Sequence, residues 1–349
     1  MASSLQDKLQ PAPQALVQDG RFQLGTYCTP FRRVNPLEAD LGCPSFLNKL
    51  QLKEWQHFAI ANEQFYVSFA IFDSKRVNLV QVVVYDRIQQ EKIEIERLFL
   101  GRHFSLPNEL WDNVASYNRT GLRIEVHNHL EVGRHNILLS CSPTHKNPRV
   151  IGRFICHEPL DEVEPLVVCL PLGEKRAMYS HKGIFPVEGE LVIGGRSFTF
   201  EKEKSYALAD IHKGYYPFEM KWHWATGGGH LEDGTLLGFN LTDNQVKDQV
   251  QYNENALWIN GKIHLLPPVR FQMNLENIGE PAYIRDEDGL VNLTFVPEVA
   301  RKVDVNALLL RNRYRGPYGS FRGYITDSHG DKWDMSKMYG MAEDFYLRA

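Results

Sequence analysis

The sequence has no apolar run long enough to cross a bilayer and no excess of basic charge. Its 349 residues include 39 Lys and Arg against 43 Asp and Glu, which gives a formal net charge of −4. A membrane-spanning helix needs about 20 consecutive apolar residues, and nucleic-acid backbones select basic surfaces. We therefore expect no integral membrane segment and no nucleic-acid partner.

Cysteine is scarce as well. The five cysteines are an odd number with no close pair, which favours reduced thiols and a cytoplasmic location: Cys28, Cys43, Cys141, Cys156 and Cys169. Residues 1–20 lack the apolar core of a secretory signal. We expect residues 1–25 to form an N-terminal arm. Hydrophobic residues make up 43% of the chain, as in ordinary globular proteins.

Common catalytic and cofactor motifs are missing. There is no Gly-x-Ser-x-Gly elbow for a nucleophile and no Gly-x-Gly-x-x-Gly turn for a dinucleotide. The run Gly227–Gly229 lacks the following Lys-Ser or Lys-Thr and the helix that a phosphate loop requires. His127, His129 and His135 lie close in sequence, but no further metal ligands can be assigned to them. No cofactor and no metal site are predicted.

Helical patterns are few, and strand patterns dominate. Short helices are predicted only within residues 44–55 and 105–111. Residues 77–85 place alternate valines on one face, and residues 122–126 alternate cleanly between apolar and polar. Strands that helices cannot cover must cover one another, in a sandwich or a closed barrel.

The second half of the chain carries clear hairpin signals. Asp233-Gly234, Asn260-Gly261 and Asp288-Gly289 each separate two strand-like runs. Such dipeptides favour two-residue turns because both central residues take positive φ. They predict an antiparallel meander.

The predicted fold class is all-β, with two antiparallel β-barrels in tandem and few short helices. Roughly 16 to 20 strand candidates suffice for two barrels of about eight to ten strands each. A chain of 349 residues is also longer than one hydrophobic core usually supports. Glycines and a charged run near residue 200 separate the two strand-rich regions. We therefore predict domains at residues 26–200 and 201–349.

The densest group of chemically active side chains lies between residues 210 and 240. Trp222 and Trp224 share one face of a strand, and His223 lies on the other. The paired indoles form a flat apolar wall that fits the inside of a ligand-binding barrel, but plain aromatic core packing explains them equally well. The adjacent polar side chains favour a ligand-binding site, because burying an ionisable side chain is costly and such side chains cluster at functional sites.

This segment supplies all the candidate site residues. The candidate catalytic residues are Asp210, His212 and His223. The candidate ligand contacts are Trp222, Trp224, Lys213, Tyr216 and Asn240.

The same segment resembles a bacterial family, the domain of unknown function 2804 family. Its most distinctive motif is matched by Asp210-x-x-Lys213-Gly214-x-x-Pro217 followed by Trp222-x-Trp224-Ala225. Further matching segments extend over nearly the whole chain: Leu52–Trp55, Tyr179–Lys182, Gly189–Leu191, Gly323, Gly340 and Glu343. The resemblance implies no established activity.

The segment is also distantly similar to the carotenoid 1,2-hydratase and AttH-like group. Asp210 and Gly214 match the ends of that group's Asp-His-Glu-Trp-Gly-like motif, and the two tryptophans match its Trp-x-Trp. Ile211 stands at the histidine position and His212 at the acidic position. The similarity implies two lipocalin-like barrels in tandem and a pocket for an apolar or amphipathic small molecule.

The first functional hypothesis is therefore lipocalin-like binding of a lipid or terpenoid-like molecule. Trp222 and Trp224 would contact the apolar body, and Asp210, His212 and Lys213 would orient a polar end.

Two alternatives stay open, so the sequence does not decide whether the protein is an enzyme. One is a hydratase, cyclase or isomerase in which a buried Asp210 with a raised pKa donates a proton, or His212 or His223 does so instead. The other is a structural or stress-related protein without a small ligand. In that case both barrels would be filled by their own side chains.

Overall fold

A computed structural model describes residues 5–75, 77–101, 104–306 and 311–348. Within these residues the chain forms one α-helix, α1 (Ser45–Gln51), and two 3-10 turns, Pro36–Glu38 and Leu130–Val132. Apart from residues 5–6, which are helical at the start of the described part of the chain, everything else that is regular is β-strand, so the all-β prediction is confirmed. No helix in the described part of the chain is long and apolar enough to span a membrane.

Seventeen strands lie before residue 215, in the part of the chain that forms the first large sheet and a small separate hairpin. In chain order they are β1 (Leu9–Gln10), β2 (Val17–Gln18), β3 (Arg21–Phe22), β4 (Gly25–Tyr27), β5 (Lys53–Ala61), β6 (Phe65–Asp73), β7 (Val77–Asp86), β8 (Glu91–Leu100), β9 (Phe104–Ser105), β10 (Asn113–Arg119), β11 (Leu122–His129), β12 (Arg134–Cys141), β13 (Val150–His157), β14 (Leu166–Pro171), β15 (Ala177–Ile193), β16 (Arg196–Phe200) and β17 (Tyr206–Gly214).

Twelve further strands follow. They are β18 (Glu219–His230), β19 (Leu236–Asp243), β20 (Ala256–Ile259), β21 (Lys262–Leu265), β22 (Arg270–Gln272), β23 (Ala282–Arg285), β24 (Val291–Val299), β25 (Lys302–Asn306), β26 (Arg311–Arg315), β27 (Tyr318–Thr326), β28 (Lys332–Asp334) and β29 (Tyr339–Arg348).

The strands form two large curled sheets in tandem. The first runs in the order β8-β7-β6-β5-β17-β15-β13-β12-β11-β10-β9, with β1, β4, β14 and β16 attached beside it. The second runs in the order β21-β20-β19-β18-β29-β27-β24-β23-β22, with β25, β26 and β28 attached. The small β2–β3 hairpin stands apart. Each large sheet curls into an antiparallel half-barrel, as predicted.

Period-two patterning explains the strands of the first sheet. In β11 the side chains of Leu122, Ile124 and Val126 are buried, whereas Arg123 between them is exposed. Strand β17 differs because each of its residues is buried. It lies between β5 and β15, with an apolar layer on each of its faces.

Hairpins form at all three predicted positions, but only Asn260-Gly261 makes the predicted two-residue turn; the other two connections are five residues long, residues 231–235 and 286–290. Asn260 and Gly261 have φ of +48° and +81° and connect β20 to β21 by two residues. Gly234 and Gly289 also have positive φ, at the turns between β18 and β19 and between β23 and β24. These turns need the left-handed region, which glycine reaches without steric cost.

One of the two helix predictions is wrong. Helix α1 forms within residues 44–55 as expected, but residues 105–111 contain no helix. The carbonyl of Asn108 accepts a hydrogen bond from the Val34 N–H, and the carbonyl of Leu110 accepts one from the Leu130 N–H. Tertiary partners thus use the backbone groups that a helix would pair internally.

Three of the four buried apolar clusters fill the two sheets and join them to each other. Side chains such as Phe58 and Phe154 fill the interior of the first sheet, and Phe239 and Phe321 fill that of the second. A third layer lies between the sheets, where Ala59, Tyr66 and Val83 from the first sheet meet Trp224 and Trp258 from the second. Each interior is therefore filled mainly by the sheet's own side chains, although a cavity lies at one end of the first.

The change from one sheet to the other occurs between β17 and β18, at residues 215–218. The domain limits 1–25, 26–200 and 201–349 stay predictions, because they concern units that fold independently.

Gly238 sets how closely the two sheets approach. A Cβ at this position would overlap the buried side chain of Ile184 on β15. We expect Gly238→Ala to lower the free energy of unfolding by about 1–3 kcal/mol, the usual cost of overpacking. Urea unfolding monitored by circular dichroism measures this. Gly173→Ala is the control, because its Cβ would lie 3.7 Å from its nearest neighbour, on Arg176. Equal effects would contradict the prediction.

Candidate functional site between the two sheets

Polar side chains form a continuous patch on the face of the first sheet that meets the second. His57 of β5, Asp210 of β17 and Lys182 of β15 are register partners in one row across three strands. Trp55 and His212 are partners in the adjacent row. Since alternate residues of a strand share a face, all five project into the layer between the sheets.

Asp210 is the centre of this patch. Its Oδ1 accepts hydrogen bonds from the Lys182 ammonium and from His212 Nε2, the latter at 2.8 Å. Its Oδ2 accepts one from Trp55 Nε1 at 2.9 Å. Glu254 extends the cluster, with Oε2 lying 3.2 Å from Lys182 Nζ. These charged groups are all buried, so each depends on its partners to compensate for lost hydration.

The ionisation of Asp210 differs from the expectation. Burial alone would raise the pKa of its carboxyl, but His212 and Lys182 hold that pKa well below its usual range. Burial likewise would lower the pKa of the Lys182 ammonium, but Asp210 and Glu254 raise it. The prediction of a raised Asp210 pKa is therefore wrong, and Asp210 is a fixed carboxylate.

The second sheet contributes two indoles and their acceptors. Trp222 Nε1 donates to Glu343 Oε1 at 2.7 Å, and Trp224 Nε1 donates to Asn240 Oδ1 at 2.6 Å. The Asn240 amide nitrogen in turn donates to the backbone carbonyl of Glu254 at 2.6 Å. Strand β29 brings Glu343 beside Trp224 as its register partner.

Glu343 is the protonatable acid of the site. Burial raises the pKa of its carboxyl to about 7, and the negative charge of Asp210 acts in the same direction. Hydrogen bonds from Trp222 and Tyr314 and the charge of Arg301 only partly offset this. Sequence reasoning noted Glu343 as a family residue but gave it no role, because only the β18–β29 pairing places it beside the tryptophans.

Aromatic rings line the solvent side of the site. Trp55 stacks on His212 with ring centroids 4.3 Å apart and faces Trp222 at 6.0 Å. Trp222 also stacks on Phe345 at 4.0 Å. Trp55, Trp222 and Phe345 are partly exposed, whereas Trp224 is buried. The partly exposed rings therefore separate the charged cluster from solvent.

Most of the predicted site residues are brought together, but two are not. The assembled set is Asp210, His212, Trp222, Trp224, Tyr216, whose hydroxyl lies 3.1 Å from His212 Nδ1, and Asn240. His223 lies on the opposite face of β18, where it stacks on Phe271 and approaches Asp344 at 3.2 Å. Lys213 instead pairs with Glu54, in a separate buried group with Lys75.

The location of the tryptophans corrects another expectation. Trp224 belongs to the layer between the sheets and Trp222 packs against it, so neither lines the inside of a barrel. A cavity of about 10 Å³ beside Trp55 and His212 holds about one water molecule. A larger cavity of about 350 Å³ lies away from the site, at one end of the first sheet, bordered by Asp86 and Arg196.

The histidines considered for a metal are arranged differently. His135 is buried in the first sheet, where Glu158 accepts hydrogen bonds from His135 Nε2 and His181 Nε2, both at 2.8 Å. Burial would raise the pKa of Glu158, but these histidines lower it to about 2. His127 and His129 lie elsewhere, near the surface. Among the described residues, no three His, Cys, Asp or Glu side chains are grouped to hold a metal ion.

A pH-dependent stability difference follows from Glu343. Its pKa is about 7 when folded against an ordinary 4.5, so the folded chain loses stability as pH rises from 4.5 to 7. Glu343→Gln cannot ionise. The quantity to compare is the free energy of unfolding of Glu343→Gln minus that of the natural chain. We expect this difference to be larger at pH 8 than at pH 5, by up to about 3 kcal/mol. Urea unfolding at both pH values tests this, and a pH-independent difference would contradict it.

The Lys182 ion pairs predict a large effect on stability. Lys182→Met leaves Asp210 and Glu254 buried without their cation, and breaking such a pair costs about 3–5 kcal/mol. Lys262→Met is the matched control. It removes an exposed pair with Glu164, which is worth less than about 1 kcal/mol. Denaturant unfolding of both variants measures the difference. Similar losses of unfolding free energy in the two variants would contradict the prediction that the buried ion pairs contribute more than the exposed one.

Comparisons with known proteins place the chain in a family. A search of curated proteins found no match. Among solved structures, kievitone hydratase from Nectria haematococca is 12% identical, with 85% of this chain and 88% of that chain covered and a TM-score of 0.47. A candidate AttH protein from Nitrosomonas europaea is 13% identical, with 86% and 93% covered and a TM-score of 0.42.

A third structure, CghA, is 10% identical, with 97% of both chains covered and a TM-score of 0.43. Similarity at this level assigns no residue role to this chain. The family comparison is more specific, because its match extends over residues 7–348. The chain belongs to the family described as domain of unknown function DUF2804.

Proposed function

We propose that the protein binds a neutral, largely apolar small molecule between its two sheets, which requires the packed layer there to open, and transfers a proton to it from Glu343. One observation carries this proposal. Glu343 is a buried carboxyl with a pKa of about 7, and it lies beside two tryptophans. A general acid works best when its pKa is near the working pH.

The surroundings of Glu343 suit protonation of an unsaturated substrate. The proton would pass from the Glu343 carboxyl to a substrate carbon or oxygen. Trp222 N–H and Tyr314 O–H would then hydrogen-bond the carboxylate left behind. The positive charge that develops on the substrate would be stabilised by the carboxylate that Glu343 becomes on losing its proton. The proton returns to Glu343 when the product loses one or when water supplies it.

The charge balance favours a neutral ligand. Lys182 is already paired with Asp210 and Glu254. Arg301 is paired with Glu94 at 3.0 Å. Neither cation is therefore available to bind the head group of a carboxylate or phosphate. These features support the hydratase, cyclase or isomerase class.

Two other functions have some support. Carriage of the same ligand without reaction is favoured by the rings of Trp55, Trp222 and Phe345, which would cover an apolar molecule whether or not a proton moves. A structural role without a ligand is favoured by the side chains that fill most of both sheet interiors.

A trapping experiment separates the three. The natural chain and Glu343→Gln are purified from the native host, and small molecules extracted from each are compared by mass spectrometry. Because the amide cannot donate the proton, we expect Glu343→Gln to retain a neutral compound that differs from the one in the natural chain. The two compounds should be related by isomerisation, cyclisation or addition of water.

Glu287→Gln, a change at an exposed loop residue, is the control and should resemble the natural chain. The same compound in the natural chain and in Glu343→Gln would favour carriage. If neither the natural chain nor either variant retains a compound, the ligand hypothesis is overturned and the structural role is favoured.

A further inference from the structure

His57 is a buried histidine in the site that the proton-transfer step does not use. It projects from β5 between Asp210 and Ala70 on the neighbouring strands and is 8% exposed. Its Nε2 lies 3.0 Å from Ser68 Oγ. Its Nδ1 has no hydrogen-bond partner among the residues that the structure describes.

An unpaired nitrogen in this position points to a missing partner. More than nine in ten buried polar groups in native proteins are hydrogen-bonded, so each exception needs an explanation. The rings of His57 and Trp224 are nearly perpendicular, with centroids 5.7 Å apart. The hydroxyls of Ser180 and Tyr66, on strands bordering the same layer, are also buried without partners. These unsatisfied groups all belong to the face of the first sheet that meets the second.

The charge state of His57 narrows the type of partner. Burial lowers the pKa of the ring to about 4, against the raising effect of Asp210. The nearby cations Lys182 and Arg301 lower it further. The imidazole is thus neutral at pH 7, with one N–H and one lone pair. A hydroxyl group can both donate and accept, so it satisfies Nδ1 in either tautomer.

We propose that His57 determines the specificity of the site by hydrogen-bonding, through Nδ1, the hydroxyl group of a neutral apolar molecule whose body lies against Trp224. Ser68 is a positioning residue, because its hydroxyl orients the ring through Nε2. The inference rests on the proposed ligand site between the sheets, but it does not require that a proton be transferred there.

Three probes of similar size test the inference by isothermal titration calorimetry: naphthalene, 1-naphthol and 1-naphthoate. We expect 1-naphthol to bind the natural chain about tenfold more tightly than naphthalene, because one satisfied hydrogen bond is worth about that factor. We expect 1-naphthoate to bind most weakly, since the site offers it no unpaired cation.

His57→Phe keeps the ring but removes both nitrogens. It should reduce 1-naphthol binding about tenfold and leave naphthalene binding unchanged. Should His57→Phe not fold, Ser68→Ala supplies the second test, with a loss of severalfold for 1-naphthol alone. His57→Gln restores a donor and an acceptor and should recover part of the preference. His127→Phe, on the outer side of β11, is the matched control and should keep the full preference.

Equal binding of 1-naphthol and naphthalene to the natural chain would overturn the inference and leave a buried water as the partner of Nδ1. So would a preference for 1-naphthol that persists in His57→Phe. The trapping experiment with Glu343→Gln measures chemical conversion of the bound compound. This titration measures the preference for a ligand that carries a hydroxyl group. Either hypothesis can therefore fail while the other stands.

Discussion

The buried contact of Lys182 with Asp210 and Glu254 is the interaction on which the arrangement of this protein depends. Lys182 and Asp210 belong to the first sheet, but Glu254 comes from the segment that precedes β20 in the second. The ammonium is therefore fully compensated only when the two sheets are docked. Because an unpaired buried charge is expensive, displaced or slipped dockings of the sheets are disfavoured more strongly than apolar contacts alone would achieve.

This constraint also explains why the candidate site lies between the sheets. The interiors of both sheets are filled mainly by aromatic and aliphatic side chains, with a cavity at one end of the first. The layer between them instead combines apolar rings with charged groups contributed by both halves. Two carboxyls in this layer differ in ionisation: cationic neighbours lower the pKa of Asp210, and burial raises that of Glu343. A pair of carboxyls separated in this way is typical of acid–base sites.

Local patterns in the sequence were sufficient for the strands and the turns. Alternation predicts β11, and the positive φ that Asn-Gly favours predicts the β20–β21 hairpin, because both depend on neighbouring residues only. The segment from Asp210 to Asn240 was also identified, because its aromatic and ionisable residues are close together in the chain. The same local reasoning failed for residues 105–111, where hydrogen bonds to distant segments replaced those of a helix.

The sequence by itself determined that this chain would form an all-β protein of two curled sheets, since hydrophobic period and turn chemistry are properties of short segments. Only the tertiary structure decided which face of each strand would meet the other sheet, and hence that His57, Lys182 and Glu343 would join Asp210. These residues are far apart in the chain, and their proximity results from strand register and sheet docking. Charge, burial and pKa then follow from that packing.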